Sequence, residues 1–538
     1  MTALMTATPH SNAPRRAAWI AALLITVVAV ALHLRFLNHA GGLWRDEVNL
    51  VNLAGHSALA DMAHDSFPVL MPLTVHGWLQ AGFGKTDFGL RCLGALIGFL
   101  LLASLWLNSW TMRRAPPLVG LALFALNSTV IIYGDSLRGF GLASLFIVLT
   151  ATAAWRLLQK SSLPRAAFFA LAAILSVQSL YQNAVLIGAI CCGMFVVSAR
   201  RKSWKPAALI VIGGLLSAIS LAPYFSNLFS ALRTAANLRT GFQPDIIYYN
   251  LTTTLGFPME IYFYAWVLLA VVVIAAGCFA ANSKADPAKM DAGLFAGVTL
   301  LAALAGYAGF FWFVEMPTQP WYFLPLLALA AACFDAGLPS LPRRFRAAGF
   351  GLVLATALAA AAFAWRDMNF RLTNVDVLAQ RLAAVSAPED FVAVNPWYCG
   401  IGFGRYFKSA TQWDTLPPLA DHSGHRYDLV QAQMKNPDAL APVLEKMAAT
   451  LRAGHRVWVV GWLDIPVSDA APPKALPPPP LKFSGWSDTP YAITWAWQAA
   501  HFLRQHARTF EQVKLPPFGV VNPNEDLKLF VAEDRLRE

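Results

Sequence analysis

Apolar residues in this chain come in long blocks, at 17–37, 92–110, 116–133, 139–157, 165–180, 183–198, 206–225, 261–281, 291–313, 321–335 and 347–365. A helix crosses a bilayer with roughly 17–25 such residues, so the pattern predicts about eleven transmembrane helices. The connection between the first two blocks, residues 38–91, is unusually long. Within it, 48–63 and 68–83 carry apolar residues at helical spacing among Asn, His and Asp, which predicts amphipathic helices along a membrane face. A second long connection, 226–260, holds Arg233, Arg239, Asp245, Tyr248 and Tyr249 and reads as a lid over the first. After Trp365 the long blocks stop. Short apolar stretches at 391–394, 457–462 and 527–532 predict buried strands, and 440–453 and 492–509 predict helices beside them. The chain thus divides into a transmembrane part, 1–365, and a soluble α/β domain, 366–538.

Composition agrees with the blocks. Hydrophobic residues make up 57% of the chain and charged residues only 13%, against about 25% charged in a soluble domain. The net charge of +11 raises nucleic-acid binding, but no basic stripe interleaved with exposed aromatics supports it. The excess instead falls in alternate connections, at Arg15, Arg16, Arg113, Arg114, Arg156, Lys160, Arg165, Arg200, Arg201, Lys202, Lys205, Lys284, Lys289, Arg343, Arg344 and Arg346. Basic loops stay in the cytoplasm, so the N-terminus is expected there, with 38–91 and the C-terminal domain outside. A cleaved signal peptide over 17–32 is the competing reading, but the length of the run and the many blocks after it favour an uncleaved helix. The six cysteines form no metal or disulfide spacing and read as small buried hydrophobes.

Candidate chemistry gathers on the connections assigned to the outside. Asp46 and Glu47 adjoin Trp44 just past the first block. The bland reading is a helix end; the functional one is a carboxylate at membrane depth, partly buried, that takes a proton from an acceptor hydroxyl or amine. Arg138 is the candidate cation for a phosphate, against headgroup contact or a pair with Asp135; Arg91 and Arg45 are weaker candidates. His64 and Asp65 would extend the acidic site, although His64, Asp65 and His76 lack a ligand spacing and no metal ligand is assigned. His33 reads as packed within its helix. Glu315 either caps a loop or contacts substrate. Trp397, Tyr398, Tyr406 and Trp413 would stack on sugar or, as is commoner, fill a core.

These stretches together resemble a known family. Residues 43–47 resemble the W-x-D-E signature of the GT-C glycosyltransferases, particularly the protein O-mannosyltransferase and aminoarabinose-transferase-like group (glycosyltransferase family 39-like). Residues 65–72 are similar to that group's HPPLY segment, 83–91 to its fG…alR run, 133–140 to its y-x-x-x-x-R-x-y segment, and 319–325 to its RYllP segment. The chain lacks the histidine before Pro68 and an arginine before Tyr322. The resemblance implies a GT-C membrane protein, in a bacterial inner (plasma) membrane, that transfers sugar with inversion from a polyprenyl-phosphate donor. The acceptor would be a cell-envelope glycan, lipid or protein, and the transfer metal-independent or assisted by a divalent metal. It makes Asp46 the general base or acceptor-positioning acid supported by Glu47. Arg138 and Arg91 then meet donor phosphate, with Asp65, His64, Asp135, Glu315 and Tyr322 around the substrates. A lipid-linked glycan flippase, for which broken mid-membrane helices and inverted repeats would speak, and a catalytically degenerate envelope assembly protein are the alternatives.

Overall fold

The computed structural model describes residues 13–62, 67–225, 241–256, 261–280, 287–315, 317–340, 343–463, 474–478, 487–515 and 517–533. The helical part runs α1 (Ala13–His39), α2 (Arg45–Ala54), α3 (Leu59–Met62), α4 (Leu70–Gln80), α5 (Asp87–Arg113), α6 (Leu118–Gly120), α7 (Ser128–Gly134), α8 (Gly139–Gln159), α9 (Leu163–Ser179), α10 (Asn183–Arg200) and α11 (Trp204–Ile219). It continues with α12 (Pro244–Gly256), α13 (Ile261–Ala280), α14 (Pro287–Val314), α15 (Leu324–Gly337) and α16 (Arg343–Asp367). Among the described residues, eight helices are long and apolar enough to cross a membrane, and α9 follows with 17 residues. This is an integral membrane protein.

The third block departs from the single span that hydropathy predicts. Between α6 and α7 the chain makes a π-helical turn at Leu121–Ala125 and then breaks. Pro116 and Pro117 delay the start. Asn127 restarts it: its side-chain oxygen accepts from the Val130 N–H and its amide donates to the Thr254 carbonyl, the N-cap role for which Asn is favoured. At the other end the Asp335 carboxylate accepts from the N–H groups of Val119 and Gly120, satisfying donors that a helix start leaves open.

Two spans form the centre of the bundle: α8 is 83% buried and the 320–337 segment 89%. Spans α1, α11 and α13 are only 28% buried and turn Leu23, Leu24, Val27, Ile212, Leu215, Leu268 and Val271 outward, as lipid contact requires. Gly94 and Gly98 let α5 pass against the turn at Asp135, where any Cβ would strike the Asp135 carbonyl or carboxylate. Arg200 and Arg201 both reach Asp291, and Arg201 the Leu158 carbonyl, at the far end of α8. These basic residues therefore lie at the opposite end of the bundle from the C-terminal domain.

That domain holds β1 (Phe370–Arg371), α17 (Val375–Val385), β2 (Phe391–Asn395), α18 (Cys399–Tyr406), β3 (Gln412–Thr415), α19 (Tyr427–Met434), α20 (Ala441–Arg452), β4 (Arg456–Gly461), α21 (Thr489–His506), β5 (Thr509–Gln512), β6 (Val520–Val521) and β7 (Lys528–Glu533). The main sheet has the order β3-β2-β4-β7-β5, parallel through the first three and antiparallel at β7. Side chains alternate across it, as strand geometry demands. Phe391, Ala393, Val457 and Val459 face a core with Val443, Met447, Trp495 and Leu503, while Val392, Val394, Trp458 and Val460 face one with Leu378, Leu382 and Phe403.

The domain is bonded to the bundle at several points. The Leu372 N–H donates to the Ala40 carbonyl. Arg405 and the Tyr406 hydroxyl both bond Asp87 at the start of α5, at 2.7 and 2.6 Å. On α2, Asn52 donates to the Ser423 carbonyl and Asn49 accepts from the His425 N–H.

Candidate active site

The first turn of α2 sets the site. Trp44 is the extended N-cap residue, and the Glu47 side chain accepts from its N–H. Consecutive helical side chains diverge by about 100°, so the paired carboxylates point apart. Glu47 is fully buried. Its oxygens accept from Arg91 at 3.3 and 3.1 Å and from the Leu137 N–H at 2.9 Å. Arg91 also donates to the carbonyls of Gly41 and Gly42. Burial pushes the Glu47 carboxyl up, against the pull of Arg91 and the two backbone donors. This pair ties the loop before α2, the start of α5 and the turn before α8 into one unit.

Asp46 faces the other way and keeps 17% of its side chain exposed. Arg138 Nη2 lies 3.8 Å from its Oδ2, Arg45 Nε 3.7 Å and His425 Nε2 3.1 Å from its Oδ1. Arg138 also donates to the Asp46 carbonyl at 3.3 Å and sits 4.3 Å over the Phe67 ring. Burial alone would raise the Asp46 carboxyl, but Arg138, the His425 hydrogen bond and Arg45 outweigh it and hold the group well below the usual carboxylate range. It is therefore ionised at neutral pH. Beside it stands an aromatic wall: Tyr133 and Trp321 centroids are 4.5 Å apart, Trp44 lies 5.5 Å from Trp321, and Phe140 bridges Phe67 and Tyr322. Tyr322 is within electrostatic reach of Arg138 and Asp46.

Other residues singled out in the sequence lie elsewhere. Asp135 does not pair with Arg138; its carboxylate is 2.7 Å from His33 Nδ1, so this buried pair explains the polar position inside α1. Glu315 ends α14 with φ 54° and forms no hydrogen bond or ion pair with Asp46 or Arg138. His76 bonds the Ala54 carbonyl. Trp397 is core and donates to Asp488, Tyr406 is committed to Asp87, and Trp413 packs on Phe403 and His422. Tyr398 approaches the site, 4.3 Å from the Arg45 guanidinium, and Trp397 borders it through an edge-on contact with the His425 ring. His64, Asp65 and the 226–240 and 257–260 parts of the lid segment lie outside the described residues. Among the described residues no group of His, Cys, Asp and Glu converges on a metal position.

The C-terminal domain also brings residues that motif reading passed over. His425 reaches Asp46, and Glu525 accepts from the Arg45 N–H at 3.1 Å and from Nη1 at 3.3 Å. The signal for the first was present as Asp421-His422-Ser423-Gly424-His425, two imidazoles in a short turn-forming stretch. Burial pushes the Glu525 carboxyl up to about 7, with Arg45 opposing. A folded-state value above the unfolded one adds stability in full below the unfolded value of 4.5 and loses it as pH rises through about 7. Glu525→Gln is thus expected to flatten the decline in melting temperature between pH 5 and pH 8. Melts of the detergent-solubilised protein at both pH values check this; an unchanged slope would assign it to other groups.

No family model and no curated protein matches this chain. Solved structures do. ArnT from Cupriavidus metallidurans bound to undecaprenyl phosphate is similar over 82% of this chain and 92% of its own, with a TM-score of 0.50 at 14% identity. This chain has the fold of the GT-C glycosyltransferases. The apo oligosaccharyltransferase of Archaeoglobus fulgidus matches with a TM-score of 0.48 and 11% identity over 82% of this chain and 69% of that one. The mycobacterial arabinofuranosyltransferase AftD matches with 0.44 and 16%, over 96% of this chain and 40% of that one. In this chain the site lies between the bundle and the C-terminal domain, with α2 supplying its carboxylate.

Proposed function

We propose that this protein is a membrane glycosyltransferase moving a sugar from a polyprenyl-phosphate donor to a cell-envelope acceptor at the external membrane face. The observation that carries the reading is the pairing of an ionised, partly exposed Asp46 with Arg138 at the domain end of the bundle, beside the aromatic wall. The ArnT structure of the same fold holds undecaprenyl phosphate, which supports a lipid-phosphate donor. The placement of the basic connections at the other end of the bundle supports an external site.

In this reading the lipid tail stays in the bilayer and its phosphate meets Arg138. The acceptor hydroxyl attacks the anomeric carbon as the carbon–oxygen bond to phosphate breaks, and polyprenyl phosphate leaves with the electron pair. Arg138, fixed at the start of α8, stabilises the charge that develops on the phosphate. A carboxylate held this low is a weak base before the reaction, so Asp46 orients the hydroxyl and takes its proton as the new bond forms. Glu47 and Arg91 serve by holding α2 and the 137–138 turn in register.

The test is transfer in membranes holding the protein, with a panel of radiolabelled polyprenyl-phosphate sugars and a crude envelope acceptor. Label passing from lipid to acceptor is the expected result and names the donor. Label crossing the bilayer on its lipid without transfer would replace the enzyme by a flippase.

A further inference from the structure

The loop before α19 is built onto α2 rather than merely lying near it. Asn52 donates to the Ser423 carbonyl at 2.7 Å, and the His425 N–H donates to Asn49 at 3.2 Å. A Cβ at Gly424 would come within 2.8 Å of the Asn49 oxygen, so glycine is what permits the approach. Arg426 braces the loop from behind through Asp421 at 2.6 Å and Asp428 at 2.7 Å. The His425 ring is stacked with Tyr427 and meets Trp397 edge-on. Every one of these contacts fixes the imidazole whose Nε2 stands 3.1 Å from Asp46 Oδ1.

We infer that His425 is a positioning residue for Asp46, so that the C-terminal domain completes the reactive site. The inference rests on the proposed role of Asp46. An aspartate in the first turn of α2 has two arginines beside it, Arg45 of its own helix and Arg138 ahead of α8. Left to these, its carboxylate would swing toward whichever guanidinium is nearer and offer no defined oxygen to an acceptor. His425 occupies Oδ1 from the third side, which leaves Oδ2 turned toward Arg138. The carboxylate plane is thereby set by a group from a different domain, locked by its own backbone bond to α2. Misplacing a reacting group by about 1 Å costs on the order of 100-fold in rate, and that is the scale on which His425 acts.

The experiment compares the full-length wild type, His425→Ala and His425→Gln in vesicles, with the radiolabelled polyprenyl-phosphate sugar that the wild type turns over. His425→Ala is expected to lower kcat roughly 10- to 100-fold while the KM for the donor stays within about twofold, because Arg138 is untouched. His425→Gln retains an N–H donor and is expected to recover most of the lost kcat. Thermal melts of both variants accompany the assay, since a variant that merely loosens the fold loses both parameters together. Wild-type kcat in His425→Ala would overturn the inference, as would equal loss in both variants tracking a lowered melting temperature. A wild type that transfers nothing from any donor overturns the enzyme reading itself and this inference with it. Normal transfer by the wild type with unimpaired variants overturns this inference alone.

Discussion

Arg91→Ala is expected to remove the protein from the membrane fraction or to lower its melting temperature sharply. Glu47 is fully buried, with the Arg91 guanidinium spanning both of its oxygens. Removing one partner of such a pair leaves an unpaired charge away from water and costs about 3–5 kcal/mol. Here the loss spreads further, because Arg91 also satisfies the carbonyls of Gly41 and Gly42 at the approach to α2. A double replacement, Glu47→Leu with Arg91→Met, removes both charges and is expected to cost less than Arg91→Ala alone. Membrane yield and thermal melts in detergent measure both variants. An Arg91→Ala protein that melts with the wild type would show that the pair does not hold the site together.

Asp46→Asn should do the opposite: leave folding intact and remove the activity. The side chain keeps its shape and is 17% exposed; Arg45 keeps Glu525, Arg138 keeps the carbonyl of residue 46, and an asparagine oxygen still accepts from His425. On the proposed mechanism, what disappears is the negative charge that takes the acceptor's proton and steadies the positive charge developing at the anomeric carbon. Proton transfer by a positioned group contributes typically about 10²–10⁴-fold. Turnover is expected to fall by about that factor while donor binding, which the proposal assigns to Arg138 and the apolar wall, persists. Two adjacent carboxylates would then separate cleanly, Glu47 by stability and Asp46 by rate.

That separation was not legible in the sequence, where Asp46 and Glu47 stand as an undivided pair. Their helical offset decides which one turns inward, and Arg91, the partner that receives Glu47, is 44 positions away. The same holds for Asp135. Its neighbour Arg138 is the local choice of partner, but the buried His33, 102 positions back, takes it across the contact between α1 and the turn. The bundle itself was legible, because crossing a bilayer requires long apolar runs and this chain has little else before Trp365. The break at Asn127 was not, since it depends on Thr254 and Asp335 reaching α6 and α7 from distant helices. In the C-terminal domain, strands β2, β4 and β7 were visible as apolar runs. Strand β3, Gln412–Thr415, is polar and half-exposed at the sheet edge, so hydropathy passes over it. His425 lay in plain view, yet nothing in its neighbours announces Asn49 and Asn52, the residues that bring it to Asp46.

On the proposed mechanism, sugar leaves a lipid phosphate at Asp46. The most direct measurement follows polyprenyl phosphate release and sugar incorporation together in vesicles holding purified wild type or Asp46→Asn, with donor binding measured on the same samples. Equal amounts of released lipid phosphate and transferred sugar are expected from the wild type, and bound but unreacted donor with Asp46→Asn. Turnover by Asp46→Asn near the wild-type rate, or bound donor left intact by the wild type in the presence of acceptor, would contradict that mechanism.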